Sequence, residues 1–348
     1  AWSSDGTRLA FTSNRTDDPD SNYNTDIWVI GADAAEPNEG LTRVTSNPGP
    51  DESPAWSPDG ERIAHRSITD PTAIVYATYH LLVSPAGGGE PLMTTESLDR
   101  HIYSPRFSLD GGSIYFLLED SGDVILARIA TDGGEVDRLV GGEQVVQAFR
   151  IAADGSIVAT ISQPHLPTEV FMVREGKASQ LTRTNGELLA TLRFGEVEEV
   201  RFPSADGTPI EAFIIKPPDF AAGTRYPTLL RIHGGPVAQY DRGFHFQGQL
   251  FAANGYVVVL PNPRGSSGYG QEFSLGIWKK WGDPDYEDVM ASVDHAIELG
   301  YADPDKLGVG GWSYGGMLTN HVITKTDRFE GAITGASATL YVANYGHD

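Results

Sequence analysis

The residues that most constrain the fold are 307–316, which read Leu-Gly-Val-Gly-Gly-Trp-Ser-Tyr-Gly-Gly. The apolar start of this segment predicts a short buried strand, and the residues after it are compatible with a helix. A strand that becomes a helix within so few residues drives the residue at the turn towards positive φ, at a cost of about 1–3 kcal/mol. Ser313 occupies that position, and Gly311 and Gly315 remove the Cβ atoms that would crowd it.

A Gly-x-Ser-x-Gly turn between a strand and a helix is the pattern of a nucleophile elbow. The serine hydroxyl is exposed at the carboxyl end of the strand, and the helix N-terminus presents N–H groups and a positive dipole end to a developing oxyanion. We therefore predict that Ser313 is a catalytic nucleophile and that the N–H of Tyr314 is an oxyanion donor. The alternative is a structural glycine-rich turn.

Composition excludes several other classes of function. The chain has 47 acidic and 25 basic residues and a net charge of −22, which argues against a nucleic-acid partner. No apolar run is long enough to span a membrane. There are no cysteines, which excludes disulfides and cysteine-bound zinc. No secretory signal is visible at Ala1, and we expect a cytoplasmic protein.

The first half of the chain repeats itself. Asp-Gly pairs flanked by apolar runs recur every 44–54 residues, and each pair predicts a hairpin turn. A second pair of strands lies between the copies, and four strands per repeat are typical of a β-propeller blade. We predict about four blades, a partial β-propeller, within residues 1–190. The alternative is an irregular β domain of unrelated hairpins. The pairs begin at Asp5, Asp59, Asp110 and Asp154.

From residue 191 to residue 348 the pattern changes to strands that alternate with helices, which indicates an α/β domain. An antiparallel hairpin over 200–215 opens this domain, and the alternation of strands and helices begins after it. The predicted strands are 227–232, 256–260, 307–309 and 331–335, and the predicted helices are 246–254, 285–299 and a helix that follows Ser313.

A second glycine-rich loop follows the strand that ends at Ile232, and it reads His233-Gly234-Gly235-Pro236. In an α/β-hydrolase the other oxyanion donor is an N–H of the loop at this place. We predict Gly235 as that donor and His233 as a structural, hydrogen-bonded residue. A plain tight turn is the alternative.

Three further residues are candidates for substrate binding: Gly234, Arg264 and Trp312. Arg264 lies in a loop after a strand, where loops line the site of an α/β fold. A guanidinium that only shapes this loop through internal hydrogen bonds is an equally good interpretation. The Asp-Pro-Asp runs at 283–285 and 303–305 resemble metal ligands, but helix capping and turn formation explain them better. We expect no metal and no cofactor.

Taken together, the propeller repeats, the 233–236 loop, the segment Asn-Pro-Arg-Gly-Ser-Ser-Gly-Tyr-Gly at 262–270 and the elbow at 311–316 resemble the prolyl oligopeptidase family of serine peptidases. The His-Gly-Gly-Pro form is most similar to its acylaminoacyl-peptidase and dipeptidyl-peptidase branch. The resemblance implies an α/β-hydrolase domain, a propeller that excludes folded proteins, and cleavage of short peptides. It also implies that Ser313 is the nucleophile and that Gly235 and Tyr314 are the oxyanion donors.

The chain departs from this family in the rest of its catalytic triad. In the α/β-hydrolase fold the triad order is Ser, Asp, His, and only 35 residues follow Ser313. Asp327 is expected in the turn beyond the elbow helix, and His347 follows the wrong strand. We therefore expect a hydrolase domain without its C-terminal strands, a chain truncated at both ends, and no activity of this chain alone.

The leading prediction is a serine peptidase that acts on a peptide substrate and assembles as a homo-oligomer. One alternative is an esterase that acts on small acyl esters. Another, if the chain is naturally complete, is a non-catalytic binding protein based on the propeller.

Overall fold

The computed structural model describes residues 1–340 and Val342, and the chain divides into two compact units. The first unit contains Ala1–Ser162 and Thr168–Arg183, and the second contains Gln163–Pro167 and the chain from Thr184 onwards. The division after Arg183 falls seven residues before the predicted boundary at 190.

The first unit is built from antiparallel strands, with 3-10 turns at Pro19–Ser21 and Pro71–Tyr76. The strands are β1 (Arg8–Ser13), β2 (Asp26–Gly31), β3 (Thr42–Arg43), β4 (Asp51–Trp56), β5 (Arg62–Ser67), β6 (His80–Pro85), β7 (Leu92–Met93), β8 (Ile102–Phe107), β9 (Ser113–Asp120), β10 (Asp123–Ala130), β11 (Asp137–Val140), β12 (Val145–Ile151), β13 (Ile157–Gln163), β14 (Leu166–Arg174) and β15 (Lys177–Gln180).

These strands form four successive antiparallel groups: β1–β3, β4–β7, β8–β11 and β12–β15. The last two groups share one sheet because Val124 of β10 pairs in parallel with Val145 of β12. The predicted succession of short hairpins is therefore confirmed. No sheet closes on itself among residues 1–340 and 342, and the partial β-propeller stays a prediction.

The Asp-Gly pairs form the same turn each time. The glycine of each pair has a φ between 70° and 80°, a conformation that glycine adopts without a steric cost. Hydroxyl and backbone donors lower the pKa of all four aspartates. In each turn the aspartate Oδ1 accepts the backbone N–H two residues later at 3.0 Å, from Thr7, Glu61, Gly112 and Ser156.

A buried apolar cluster holds the second and third groups together. It includes Leu81 of β6, Ile102 of β8 and Phe116 of β9, each fully buried. Every second residue of β9, namely Ile114, Phe116 and Leu118, belongs to the cluster, which places one face of that strand in it. Phe116 is the bulkiest fully buried member of the cluster, so we expect its ring to contribute strongly to the packing.

The second unit is an α/β domain, as predicted. Its strands are β16 (Val197–Pro203), β17 (Pro209–Ile215), β18 (Tyr226–Ile232), β19 (Val257–Asn262), β20 (Ala302–Trp312) and β21 (Phe329–Gly335). Its helices are α1 (Gly186–Leu189), α2 (Phe246–Ala253), α3 (Gln271–Leu275), α4 (Pro284–Glu298) and α5 (Tyr314–Lys325). None of the described helices is both long and apolar enough to cross a bilayer.

The six strands of this unit lie in the order β16-β17-β19-β18-β20-β21. The first two pairings are antiparallel, and β19, β18, β20 and β21 run parallel to one another. Because parallel strands end at the same edge of a sheet, the loops after β18, β19 and β20 converge there. This edge carries the predicted site residues.

Replacing Phe116 by Ala should lower the free energy of unfolding of the first unit by about 3–5 kcal/mol, because it leaves a cavity in the buried cluster. Leu109→Ala is the control, since Leu109 is 51% exposed and its loss should change stability by less than about 0.5 kcal/mol. Urea titration followed by circular dichroism measures both. Equal effects of the two substitutions would contradict the packing described here.

Candidate active site

Ser313 lies at the turn from β20 into α5 and has the backbone conformation predicted for it. Its φ is 56° and its ψ is −124°, in the region that residues other than glycine rarely enter. Its N–H donates to the carbonyl O of Gly335 at 2.9 Å, and its side chain makes no capping bond to α5. The residue is exposed, so the hydroxyl is available to a ligand.

The two glycines of the pattern are required by close backbone contacts. A Cβ atom at Gly311 would lie 2.3 Å from the carbonyl of Gly315. A Cβ at Gly315 would lie 2.2 Å from the carbonyl O of Ile232 and 2.6 Å from that of His233. Real side chains do not occupy such positions, so the start of α5 packs directly against the end of β18.

The second glycine-rich loop lies beside the serine. β18 and β20 are paired in parallel with Ile232 opposite Gly311, which brings the residues after each strand together. A Cβ at Gly234 would lie 3.5 Å from Cβ of Ser313 and 3.2 Å from the carbonyl O of Trp312. The peptide that joins Gly234 to Gly235 is therefore next to the serine side chain.

His233 orients this peptide. Its Nδ1 donates to the carbonyl O of Gly234 at 2.7 Å, because a carbonyl can only accept. Burial lowers the pKa of His233, which favours the neutral ring. In a planar trans peptide the N–H points opposite to the C=O. The N–H of Gly235 is thus directed away from His233, as an oxyanion donor beside the serine would need.

Ser266 was not predicted as a site residue, and it supports His233. Its Oγ lies 3.0 Å from Nε2 of His233 and 2.6 Å from the carbonyl O of Pro263. Ser266 thus connects the loop after β19 to the loop after β18. The only sequence signal was its place in the 262–270 segment, which does not say which of the two adjacent serines faces the histidine.

Arg264 has the structural role that was the second of its two interpretations. Its Nε and Nη2 donate to Asp288 at 2.9 and 2.6 Å, and its Nη1 donates to Asp206. These acceptors engage every nitrogen of the guanidinium, and the side chain is 13% exposed. These bonds favour the interpretation that Arg264 shapes its loop, and substrate binding by Arg264 stays a prediction.

Trp312 stands at the surface beside Ser313. It is 66% exposed, and its ring covers Gly335, where a Cβ would lie 2.2 Å from the indole. An exposed indole next to Ser313 is an apolar surface that a ligand could contact, and substrate binding by Trp312 stays a prediction.

The acidic turns differ from the expected caps. Asp283 is at the N-cap position of α4 but its side chain makes no capping bond. Instead Asp285 accepts the N–H groups of Gly282 and Tyr286. Asp303 bonds to the N–H of Asp305 within β20. At the start of α4 the carboxylate of Asp285, and not that of Asp283, therefore accepts the backbone N–H groups.

Asp327 lies between the end of α5 and the start of β21, as expected, and it is exposed. His347 lies outside the described residues. In the part of the chain that the structure describes, the Ser313 hydroxyl makes no side-chain hydrogen bond with a histidine.

Comparison with known proteins identifies relatives of this chain. Residues 242–348 match the family model described as the prolyl oligopeptidase family. Dipeptidyl-peptidase 5 of Porphyromonas gingivalis is 27% identical over 327 residues, which cover 91% of this chain and 46% of the relative. An uncharacterized peptidase of Bacillus subtilis, YuxL, is 37% identical over 191 residues, 54% of this chain and 29% of the relative. The predicted resemblance to this family is confirmed.

Solved structures give the same result for the fold. The acylaminoacyl peptidase of Pyrococcus horikoshii superposes with a TM-score of 0.84 at 25% identity, over 98% of this chain and 52% of that one. An acylaminoacyl peptidase in complex with Z-Gly-Gly-Phe-chloromethyl ketone gives a TM-score of 0.85 at 25% identity, with the same coverage. The chain spans about half the length of the relatives that it matches.

Gly315→Ala should destabilise the second unit by about 3 kcal/mol, since a Cβ would collide with two carbonyl oxygens and overpacking of this kind costs 1–3 kcal/mol or more. Gly331→Ala is a matched control, because a Cβ there meets no atom within 4 Å. Thermal unfolding followed by calorimetry compares the two. A Gly315→Ala variant as stable as the control would contradict the close contact of α5 with β18.

Proposed function

We propose that the protein containing this chain is a serine peptidase of the prolyl oligopeptidase family, whose model residues 242–348 match. The observation that carries the proposal is the conformation of Ser313, whose φ of 56° holds an exposed hydroxyl beside the Gly234–Gly235 peptide. A strained residue at an exposed turn that faces oriented backbone donors is typical of a nucleophile.

The reaction would proceed by acyl transfer. Oγ of Ser313 forms a bond to the carbonyl carbon of a peptide, and the carbonyl electron pair moves to its oxygen. The hydroxyl proton leaves to a general base, which we do not assign among residues 1–340 and 342. As the tetrahedral intermediate collapses, the C–N bond breaks and the amine takes the proton. Water then releases the acyl group from the serine.

Two backbone N–H groups would stabilise the oxyanion. The N–H of Gly235 is oriented by His233 through the opposite end of the same peptide. The N–H of Tyr314 lies in the first turn of α5, where the helix dipole also favours negative charge. Removing one such donor typically costs about 10²–10³ in kcat, so the pair would supply much of the rate enhancement.

For the substrate we propose short peptides. The relatives that cover most of this chain are named dipeptidyl-peptidase 5 and acylaminoacyl peptidase. Both names describe removal of a small unit from a peptide terminus. We further propose that the four antiparallel groups of the first unit belong to a propeller that limits access to unfolded and short chains.

Ser313→Ala in the full natural chain should lower kcat for a chromogenic dipeptide or acyl-amino-acid substrate by about 10⁴ or more, because the nucleophile is lost. Ser337→Ala is the matched control, since Ser337 lies in the same unit and its hydroxyl bonds, among the described residues, to Asn320 and Thr334. Hydrolysis of the corresponding ester is measured in parallel. Undiminished hydrolysis by the Ser313→Ala variant would rule out the proposal, and turnover of the ester alone would indicate an esterase.

A further inference from the structure

Tyr314, the residue next to the proposed nucleophile, is held by its side chain as well as by the helix that it begins. It is 3% exposed, and its hydroxyl donates a hydrogen bond to Oδ2 of Asp285. Asp285 is fully buried and lies in the first turn of α4. The bond therefore ties the N-terminal turn of α5 to the N-terminal turn of α4.

The carboxylate of Asp285 is fixed in its own place. Its Oδ1 accepts the N–H of Gly282 at 2.7 Å and that of Tyr286 at 3.1 Å. With the Tyr314 hydroxyl on Oδ2, three donors face its two oxygens. Each donor stabilises the buried carboxylate, and the loss of any one of them is unfavourable. Rotation of the carboxylate is therefore strongly opposed.

The segment before α4 is also pressed against α5. The ring of Trp281 meets the ring of Tyr314 edge-on, with centroids 5.1 Å apart. Nζ of Lys325 donates to the carbonyl O of Gly282 at 2.9 Å. A Cβ at Gly282 would lie 2.7 Å from the ring of His321, so the segment lies in direct contact with the helix. Asp285 therefore presents its Oδ2 to the tyrosine from a rigid support.

We propose that Asp285 is a positioning residue for the oxyanion hole: by holding the hydroxyl of Tyr314, it fixes the direction of the Tyr314 backbone N–H. This inference rests on the proposed function. The other proposed donor, the N–H of Gly235, is oriented by His233. Each of the two donors would therefore be held by a buried side chain.

The geometry explains why a distant hydroxyl controls a backbone direction. A tyrosine side chain has only two rotatable bonds between Cα and its ring. When the hydroxyl is anchored and the ring is packed, Cα has little freedom, and neither has the planar peptide that joins Ser313 to Tyr314. Catalytic donors must be held within about 0.5 Å of the productive geometry.

Burial raises the pKa of the Asp285 carboxyl in spite of its three donors. A raised folded-state pKa means that ionisation of this group opposes folding, a cost that grows as the pH rises through that pKa. The neutral amide in Asp285→Asn is therefore not expected to lower the unfolding temperature.

The test compares four variants of the full natural chain. Tyr314→Phe removes only the hydroxyl, and Asp285→Ala removes its acceptor. Asp285→Asn keeps Oδ1 for the two backbone donors and places an amide N–H where it can donate to the tyrosine oxygen. Tyr256→Phe is the control, because it removes a hydroxyl from a partly exposed tyrosine of the same unit.

We expect Tyr314→Phe and Asp285→Ala to lower kcat about tenfold with KM nearly unchanged, because the oxyanion exists only in the transition state. Asp285→Asn should retain most of the activity, and Tyr256→Phe should retain all of it. A merely structural role would change the unfolding temperature and not this division between kcat and KM.

A second readout isolates the oxyanion. A peptide trifluoromethyl ketone forms a tetrahedral adduct when Oγ of Ser313 bonds to its carbonyl carbon, the hydroxyl proton passes to the general base, and the ketone oxygen takes up the negative charge. Its inhibition constant should rise about tenfold in Tyr314→Phe. The inhibition constant of the peptide amide of the same sequence, which forms no adduct, should not change.

Unchanged kcat and ketone affinity in Tyr314→Phe would overturn the inference, as would equal losses of affinity for the ketone and the amide. If Asp285→Ala fails to fold, Tyr314→Phe decides. Failure of the proposed function is distinguishable, because wild-type protein would then lack peptide hydrolysis or Ser313→Ala would keep it.

Discussion

A single steric constraint governs this site: the backbones around Ser313 are packed so closely that the residues two before and two after it can carry no side chain. The start of α5 lies against the carbonyls at the end of β18 and against its own preceding strand, with room for hydrogen atoms only at Gly311 and Gly315. Ser313 has its φ of 56° because the chain must reverse within this contact. The cost of about 1–3 kcal/mol is offset by the packing of the sheet and helix around it.

The other parts of the site follow from that contact. Because the end of β18 touches the start of α5, the loop that leaves β18 passes beside Ser313. His233, the first residue of this loop, can therefore hold the peptide that joins Gly234 to Gly235. On the other side of the turn, α5 begins with a tyrosine whose hydroxyl reaches Asp285 in α4. The two proposed oxyanion donors are thus supported by residues of two different elements, and each support is buried.

Features encoded by adjacent residues could be predicted from the sequence. The Asp-Gly turns and the Gly-x-Ser-x-Gly elbow each depend on backbone conformations that a few neighbouring residues decide. Arg264 and Asp285 could not be assigned in this way, because their partners lie 24 to 58 and 29 residues away. Which acidic residue faces which donor depends on how α4 packs against the sheet. Closure of the strand groups into a propeller is a long-range property of the same kind.

The most direct test of the account is the site of reaction with a fluorophosphonate, which modifies only an activated serine. The full natural protein is treated with the reagent, and the adduct is located by intact mass and peptide fragmentation. The account predicts one adduct, on Ser313, that is absent after unfolding and in Ser313→Ala. An unmodified Ser313, or an adduct on another serine, would contradict it.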